Sequence, residues 1–406
     1  MTKDKYFTGQ PVFNQVLKLI PRPMLKQLAL KHNSDYYSKT LDTYTHLVSM
    51  LFGVFQRCSS LRELTTGMQV WMDRLKHLGI KTYPKRSTLS DANKKRTSRL
   101  FEDLYHQLVK MYSQHLPDSR KNSGVERRLY LMDSTTIELF SDIMGGAGIS
   151  KLNGKRKGGV KAHVLVNPVH EIPSVIYLTA AKENDRVFMD KINVPSSSVL
   201  VFDKGYVKYS QWQRWTEQGI FWVTRLSPVA YYQVLEDNPI HPLQINRGVR
   251  SDQKILLGSG TTPGSEVIIA RRVVYYDQSK QREFVFITNH EKFSPSNIAE
   301  LYKKRWQIET LFKSIKQNFQ LKYFWGDNAN AIQIQIWCSL IADLIIKVIK
   351  QSIKKRMWSF ANLCSMIRLH LGTYVNLKEF LKNPEKSLRN KFQPIQNQLA
   401  IIYDSP

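Results

Sequence analysis

Apolar side chains recur every three or four positions along the first 120 residues, which is the spacing of one face of an α-helix. The pattern is clearest at residues 13–20, 47–54 and 61–75. Each of these segments can bury an apolar stripe against its neighbours. The spacing therefore predicts an α-helical domain over residues 1–120.

The end of this helical region carries a possible DNA-binding unit. Gly79 separates the third segment from a polar, basic segment at residues 86–96, which Ser87 or Thr88 could cap as a helix. A helix, a short glycine turn and a basic helix are typical of a helix-turn-helix, but plain helical packing produces the same pattern. If the unit binds DNA, the expected contacts are Arg86, Lys94 and Arg96.

The pattern changes after residue 127 to short, nearly continuous apolar runs, which indicate strands buried on both faces. Residues 129–132 end at Asp133, and residues 199–202 end at Asp203. Further strands are predicted at residues 160–166, 175–178 and 220–224, and helices at residues 184–192 and 209–218. This alternation predicts a three-layer α/β core within residues 121–352.

Two further regions complete the predicted organisation. Residues 228–293 are β-rich and indicate a subdomain inserted into the core. Helix is expected to resume at about residue 296 and again, strongly apolar, at residues 330–349. Helices are also expected in the C-terminal region, residues 353–406.

The helix predicted over residues 302–316 carries candidate chemistry. At about 100° per residue, four functional side chains fall within a stripe roughly 60° wide. These are Tyr302, Arg305, Glu309 and Lys316. One carboxylate among phosphate-binding groups suits metal-dependent phosphoryl transfer on nucleic acid. The alternative is an amphipathic surface helix with solvated charges.

The charge of the chain favours a polyanionic partner. The 406 residues include 60 Lys and Arg against 33 Asp and Glu, a formal charge of +27 that is spread along the whole sequence. Nucleic acid is the first candidate and an anionic membrane is the competing one. The length predicts two or three domains, and 42% hydrophobic residues suffice for buried cores.

Nothing in the sequence predicts export or membrane insertion. The longest apolar candidate, residues 334–346, is shorter than the roughly 20 residues of a membrane span and contains Gln335 and Asp343. Residues 1–5 lack the apolar core of a signal peptide. The scattered Cys58, Cys338 and Cys364 form neither a disulfide framework nor a zinc motif, so a reducing cytoplasm is expected.

Asp133, Asp203 and Glu309 form a candidate metal-binding set. Carboxylates at adjacent strand ends can share Mg²⁺, which prefers oxygen ligands, and a neighbouring helix can add a third. Two such ions would activate an attacking oxygen and stabilise the leaving one. The alternative is that both aspartates only cap turns at strand ends.

The residues of this set resemble the DDE insertion-sequence transposases, with the Tyr-Arg-Glu-Lys signature spaced as Tyr302-x2-Arg305-x3-Glu309-x6-Lys316. Residues 131–135 and 203–206 are similar to the segments around the family's two aspartates. Residues 157–163 and 221–225 are similar to its other core strands. The N-terminal region, including residues 13–22 and 86–96, resembles the extra helical domain of one branch. The resemblance covers about residues 10–350.

The resemblance implies a ribonuclease-H-like core with a β-rich insertion, and two Mg²⁺ ions, with Mn²⁺ as a substitute, held by Asp133, Asp203 and Glu309. It implies that Tyr302, Arg305 and Lys316 hold DNA phosphates. Trp306 is a candidate for packing against DNA, with local helix packing as the alternative. Lys161 and His163 are expected to be structural or phosphate-contacting. The insertion offers four aromatic residues for holding a flipped base, and the choice stays open: Tyr231, Tyr232, Tyr275 and Tyr276.

The implied function is cut-and-paste transposition of an insertion sequence: strand nicking, a hairpin intermediate and strand transfer. The expected partners are double-stranded DNA, as terminal inverted repeats and as target, and a second copy in a homodimer that pairs the two ends. The expected location is the bacterial cytoplasm, at the nucleoid. Two alternatives are a catalytically inactive DNA-binding regulator derived from a transposase and a sequence-nonspecific nuclease.

Overall fold

The computed structural model describes residues 9–36, 38–113, 128–138, 148–152, 155–168, 172–180, 186–258, 266–319, 321, 323–353 and 358–385. The expectation for residues 1–5 and the part of the predicted C-terminal region beyond residue 385 lie outside these ranges.

The predicted helical character of the N-terminal region is confirmed in its described residues. The helices are α1 (Val12–Leu17), α2 (Arg22–Lys31), α3 (Thr43–Gln56), α4 (Leu61–Val70), α5 (Met72–Lys76), α6 (Arg86–Lys95) and α7 (Arg99–Tyr112). The segment predicted as one helix at 61–75 is interrupted at Trp71. The predicted cap of α6 is wrong: the helix begins after Lys85 without a side-chain cap, so Ser87 and Thr88 lie inside it.

The described residues contain a 10-stranded mixed sheet. Its strands are β1 (Leu129–Glu138), β2 (Gly148–Leu152), β3 (Lys155–Asn167), β4 (Ile172–Ala180), β5 (Val199–Phe202), β6 (Phe221–Arg225), β7 (Tyr232–Asp237), β8 (Val249–Leu257), β9 (Ile268–Asp277) and β10 (Arg282–Thr288). The order is β2-β3-β1-β5-β6-β10-β9-β8-β7, with β4 also paired to β3. The strand β5 runs parallel to both β1 and β6. The other pairings are antiparallel.

The region predicted as an inserted subdomain continues the main sheet. Its β-rich character is as predicted, but β10 pairs with β6, placing Phe286 opposite Arg225. The remaining strands follow outward from β10. The insertion therefore widens the core sheet and does not build a sheet of its own.

Helices cover both faces of the sheet. They are α8 (Arg186–Met189), α9 (Tyr209–Glu217), α10 (Pro242–Asn246), α11 (Pro295–Lys304), α12 (Trp306–Asn318), α13 (Ala329–Ser352), α14 (Phe360–His370) and α15 (Leu377–Lys382). Along β5, Leu200 and Phe202 face one apolar core, which contains Trp212 of α9. The alternate residues Val199 and Val201 face the other core, which holds α12 and α13. This arrangement confirms the three-layer α/β prediction.

Helix α13 joins the N-terminal and C-terminal helices, since it packs against α3, α7 and α14, and it shares one apolar core with β5. By length and composition it could cross a membrane, which the sequence analysis did not anticipate, yet 89% of its most apolar window is buried inside the protein. Its buried Asp343 pairs with Lys347 one turn later, at 2.8 Å. The helices on either side of the predicted boundaries at residues 120 and 352 thus share one core.

Candidate active site at the carboxyl edge of the parallel strands

Asp133 and Asp203 lie side by side because their strands are parallel and in register. The last residue pair between β1 and β5 is Met132 opposite Phe202, so the two aspartates are the residues that directly follow this pair in the chain. The prediction that β1 ends at Asp133 is wrong, since that strand continues to Glu138 against β3. It marks instead the end of the parallel pairing, which places both carboxylates at one edge.

Glu309 reaches the same edge from α12, which packs against β1. Alternation along β1 places Asp133 on the face of Leu131, and that face lies against α12. The helix predicted over residues 302–316 is interrupted at Arg305, between α11 and α12. Arg305 keeps helical dihedral angles, but its N–H bonds to the carbonyl of Tyr302 three residues back, at 3.1 Å.

Arg305 connects two of the three carboxylates. One of its terminal nitrogens donates to the carboxylate of Asp133, and the other donates to Oε1 of Glu309 at 3.2 Å. Its guanidinium also acts electrostatically on Asp203. The three predicted metal ligands are thus brought together around the charge of one arginine.

Asp203 has two side-chain partners of its own, besides the N–H of Gly205, which donates to Oδ2 at 3.4 Å. Arg225, at the end of β6, donates to Oδ1 at 3.3 Å, and the hydroxyl of Tyr302 donates to the same oxygen at 3.1 Å. The Tyr302 ring packs on Phe286 and lies under both guanidinium groups, 5.5 Å from Arg225 and 5.7 Å from Arg305. Sequence reasoning missed Arg225; the available signal was a basic residue ending the third parallel strand.

The pKa values follow these contacts. Burial raises the pKa of Asp133 to about 6, because Arg305 and the Ser134 N–H only partly offset the desolvation. Burial also opposes ionisation of Asp203, but Arg305, Arg225 and the Tyr302 hydroxyl outweigh it and lower that pKa. Burial and the negative charge of Asp203 raise the pKa of Tyr302 to about 12. Tyr302 is therefore a hydrogen-bond donor at neutral pH.

The donor chemistry of this edge fits a hard divalent cation, although the carboxylates do not form a ready site. In the part of the chain that the structure describes, no group of three or more His, Cys, Asp or Glu side chains is arranged to hold a metal. Arg305 bridges Asp133 and Glu309 instead. Three carboxylates are nonetheless the oxygen ligands that Mg²⁺ takes, and the Arg305 guanidinium sets one positive charge against them.

The other predicted contacts in this region lie in different surroundings. Trp306 is 63% exposed, which disagrees with the alternative of local helix packing. Lys316 is half-buried in the last turn of α12. His163 is buried and bonds through its ring nitrogens to Thr179 at 3.0 Å and Tyr206 at 3.3 Å, as the structural alternative expects.

The three predicted N-terminal DNA contacts separate into two groups. Arg86 and Lys94 are exposed on α6. Arg96, just after α6, is 8% exposed and donates to the carbonyl oxygens of Ser34 and Leu41. The structure therefore does not bring the three side chains onto one surface.

Two family models and several curated proteins match parts of this chain. The family model of the transposase DDE domain matches residues 125–343, more than half of the chain, and a model described as a domain of unknown function matches residues 8–81. A candidate transposase, y4zB, of Sinorhizobium fredii is 30% identical over 65% of this chain and 71% of its own length. The candidate transposase of insertion sequence element IS4SA in Synechocystis is 28% identical, with the same coverage of each chain.

Among solved structures, the piggyBac transposase synaptic complex with hairpin DNA aligns with 97% of this chain and 84% of its own, at 10% identity and a TM-score of 0.42. That similarity is too low to carry an argument. The match of the DDE domain model to residues 125–343 includes Asp133, Asp203 and Glu309, and the chain therefore belongs to the transposase DDE domain family.

Proposed function

We propose that this insertion-sequence transposase cuts and joins DNA at Asp133, Asp203 and Glu309, in metal-dependent cut-and-paste transposition. The observation that carries the proposal is the convergence of these carboxylates, from β1, β5 and α12, around the single guanidinium of Arg305. A protein that only bound DNA would have no use for three acids at one strand edge, because their mutual repulsion costs stability.

The fold supports a ribonuclease-H-like core. Parallel β1, β5 and β6 are flanked by antiparallel β3 and β4, with helices on both faces. This frame places the carboxyl ends of β1 and β5 at one edge, beside α12. The frame thus supplies the carboxylates from rigid elements, as accurate positioning of a reacting group requires.

Asp133, Asp203 and Glu309 would hold two divalent cations. Such ions, Mg²⁺ or Mn²⁺, supply an activated oxygen nucleophile and stabilise the charge on the leaving oxygen. Arg225 and Tyr302 orient Asp203, since both donate to its Oδ1. The raised pKa of Tyr302 keeps this donor protonated.

Arg305 is, in this proposal, an internal counter-cation for the acids. Its side chain is 12% exposed and contacts Asp133 and Glu309, so it occupies the charge-compensating position between them. Cations bound by these acids would compete with the guanidinium for the same oxygens. Arg305 would then be available to a DNA phosphate, the role that the Tyr-Arg-Glu-Lys signature implies for it.

DNA would approach this edge along α12. The exposed indole of Trp306 directly follows Arg305 and offers a stacking surface for a base. Lys316 lies at the other end of the helix and would hold a phosphate. The proposed reaction nicks one strand with water and uses the freed 3′ hydroxyl to form a hairpin with the opposite strand. A second water then opens the hairpin and frees the 3′ hydroxyl again, and this hydroxyl attacks target DNA. Two ends must be processed together, so the proposed active form is a homodimer.

An excision assay on a plasmid that carries the element tests this proposal. Asp203→Asn should abolish excision and retain binding to a duplex from the element's end. Asp73→Asn is the matched control, because Asp73 is an exposed carboxylate that pairs with Lys76 on the same short helix. It should excise at the wild-type rate.

Two other results would replace the proposal. End binding without excision by the wild type, with either Mg²⁺ or Mn²⁺, would favour the catalytically inactive regulator. Cleavage of DNA that lacks the element's ends, at a rate similar to that of end-bearing DNA, would favour the nonspecific nuclease.

A further inference from the structure

A polar cavity lies in the N-terminal helices, away from the three carboxylates. It opens between α6 and the segment that connects α2 to α3, and its volume is about 500 Å³. Ligand sites in proteins occupy roughly 300–1,000 Å³, so the cavity is large enough for a phosphate with its sugar. We call it the α6 cavity, after the helix that forms one wall with Thr88, Asp91 and Lys95.

The α6 cavity carries cations that the protein itself does not neutralise. Lys39 on one wall and Lys95 on the other are exposed. Neither makes an ion pair or a side-chain hydrogen bond within the described ranges. Asp91 is the acidic residue of the lining, and it is exposed as well. Two cations without partners facing one carboxylate favour an anionic ligand.

A third cation lies in the wall of the cavity and is held rigidly. Arg96 is 8% exposed and lines the cavity. Its Nη2 donates to the carbonyl oxygens of Ser34 at 3.2 Å and Leu41 at 2.9 Å, and pairs with Asp35 at 3.2 Å. Its Nη1 is buried and has no hydrogen-bond partner among the described residues. Because Asp35 compensates the charge of Arg96, the excess positive charge of the lining comes from the two lysines, and Arg96 contributes a rigid donor.

Hydroxyl groups complete the lining. Thr40 contributes from the wall of Lys39, and Thr88 contributes from α6. Hydroxyl and ammonium donors are the groups with which proteins commonly contact phosphate oxygens of nucleic acids. Because Lys39 and Lys95 are exposed, a phosphate could enter while still attached to a polymer.

We infer that the α6 cavity binds a backbone phosphate of DNA. This inference deepens the proposed function, since it rests on the protein acting on DNA, and it assigns the DNA-facing side of α6. Thr88, Asp91 and Lys95 share one side of the helix at intervals of three and four residues. At about 100° per residue, Arg86 and Lys94 lie on a different side, so a helix-turn-helix contact through them is a separate arrangement.

Two double variants with the same charge change distinguish these arrangements. Lys39→Ala with Lys95→Ala removes the lysines of the α6 cavity, and Arg86→Ala with Lys94→Ala removes two exposed cations from the other side of α6. Binding is measured by fluorescence anisotropy with a duplex from the element's end, over a series of salt concentrations. Circular dichroism melting shows whether each variant keeps the wild-type fold.

The cavity variant should bind about tenfold more weakly, and its slope of log affinity against log salt should be shallower by about 2, because two phosphate contacts are lost. The Arg86 and Lys94 variant should bind within about twofold of the wild type. Equal losses in both variants, or a larger loss in the second, would overturn the inference.

A titration with inorganic phosphate separates a DNA site from a site for a free anion. Thermal stabilisation of the wild type by millimolar phosphate, lost in the cavity variant while DNA affinity is unchanged, would overturn the assignment to DNA. Loss of DNA affinity in the cavity variant supports it. Since binding is measured without metal or catalysis, excision by Asp203→Asn would overturn the proposed active site and leave the cavity result standing.

Discussion

Two buried arginines, one in the acid cluster and one in the N-terminal helices, are held by different kinds of partner. Arg305 donates to the carboxylates of Asp133 and Glu309. Arg96 donates mainly to backbone carbonyl oxygens, those of Ser34 and Leu41, and to one carboxylate. Their side chains are similarly inaccessible, at 12% and 6% exposure.

The difference indicates which of the two arginines can give up its partners to another cation. A divalent cation competes well for carboxylates, so the partners of Arg305 can pass to a metal. The carbonyl partners of Arg96 belong to the chain between α2 and α3, and that segment would lose its hydrogen bonds to the guanidinium if Arg96 moved away. Arg305 is therefore suited to a site in which its partners change, and Arg96 is suited to the rigid wall of the α6 cavity.

The largest expected effect comes from removing an acid of the cluster. Glu309→Gln should lower excision by at least about 10³-fold, since several kcal/mol of transition-state stabilisation would be lost. Binding to the element's end should stay within about threefold of wild type, because Glu309 is expected to hold metal and not DNA. Excision and gel-shift assays measure the two effects.

The matched control is Glu300→Gln, an exposed acid on α11. It should behave as the wild type in both assays. Lys316→Ala should give the opposite split from Glu309→Gln, with weakened end binding or hairpin formation. Normal excision by Glu309→Gln would show that this carboxylate does not belong to the active site.

Replacing Arg96 should mainly destabilise the fold. Arg96→Gln removes the guanidinium donor from the carbonyl oxygens of Ser34 and Leu41 and from the carboxylate of Asp35, at a cost of roughly 3 kcal/mol. Urea unfolding measures this change. Unchanged stability together with weaker DNA binding would show that Arg96 acts directly on DNA and not through the wall.

The free energy of unfolding of the protein should depend on pH through the acid cluster. The folded-state pKa of Asp133, about 6, lies above its ordinary value of 3.8, so the folded protein holds this proton more tightly than the unfolded chain does. Its stabilising contribution is fully present below pH 3.8 and is lost as the pH rises through about 6. With a metal chelator present, the free energy of unfolding of the wild type should fall by about 2 kcal/mol more than that of Asp133→Asn between pH 4 and pH 7.

The helical region should show the opposite trend. Burial, with the nearby Arg96, lowers the pKa of His46 from 6.5 to about 3, although Oδ1 of Asn93 accepts a hydrogen bond from Nε2 of His46 at 2.7 Å. The stabilising contribution of His46 is present above pH 6.5 and is lost as the pH falls through about 3.

A pH dependence of stability that is identical in Asp133→Asn and wild type would contradict the raised pKa of Asp133.

The smallest expected effect is on metal affinity. Arg305→Gln should bind Mn²⁺ about tenfold more tightly in the absence of DNA, because the metal no longer competes with the guanidinium. Isothermal titration calorimetry measures this affinity, with Arg99→Gln, an exposed residue of α7, as the control of equal charge change. Weaker or unchanged Mn²⁺ binding would show that Arg305 is not a competing counter-cation.

Much of this architecture was accessible from the sequence because it depends on local patterns. Helical periodicity identified α3 and α13, and continuous apolar runs identified β5 within its observed bounds. The two aspartates could be placed at strand ends because buried runs stop at charged residues. The spacing in residues 302–316 identified Glu309 as a candidate partner for them.

Other features depended on contacts between distant segments. The widening of the sheet by the insertion depends on β10 pairing with β6, and no local pattern encodes that choice. The pairing of Arg225 with Asp203 joins residues on different strands. The burial of Arg96 depends on carbonyl oxygens more than 50 residues away in the chain.

The sequence by itself determined the main helices and strands and the basic character, and it identified the three candidate acids, because these follow from residue type and spacing. Tertiary structure alone decided which charges meet. It set Arg305 among carboxylates and Arg96 among backbone carbonyls, and it left Lys39 and Lys95 facing a cavity without partners in the described chain. The physical reason is that a charged side chain is satisfied by whatever the fold places beside it.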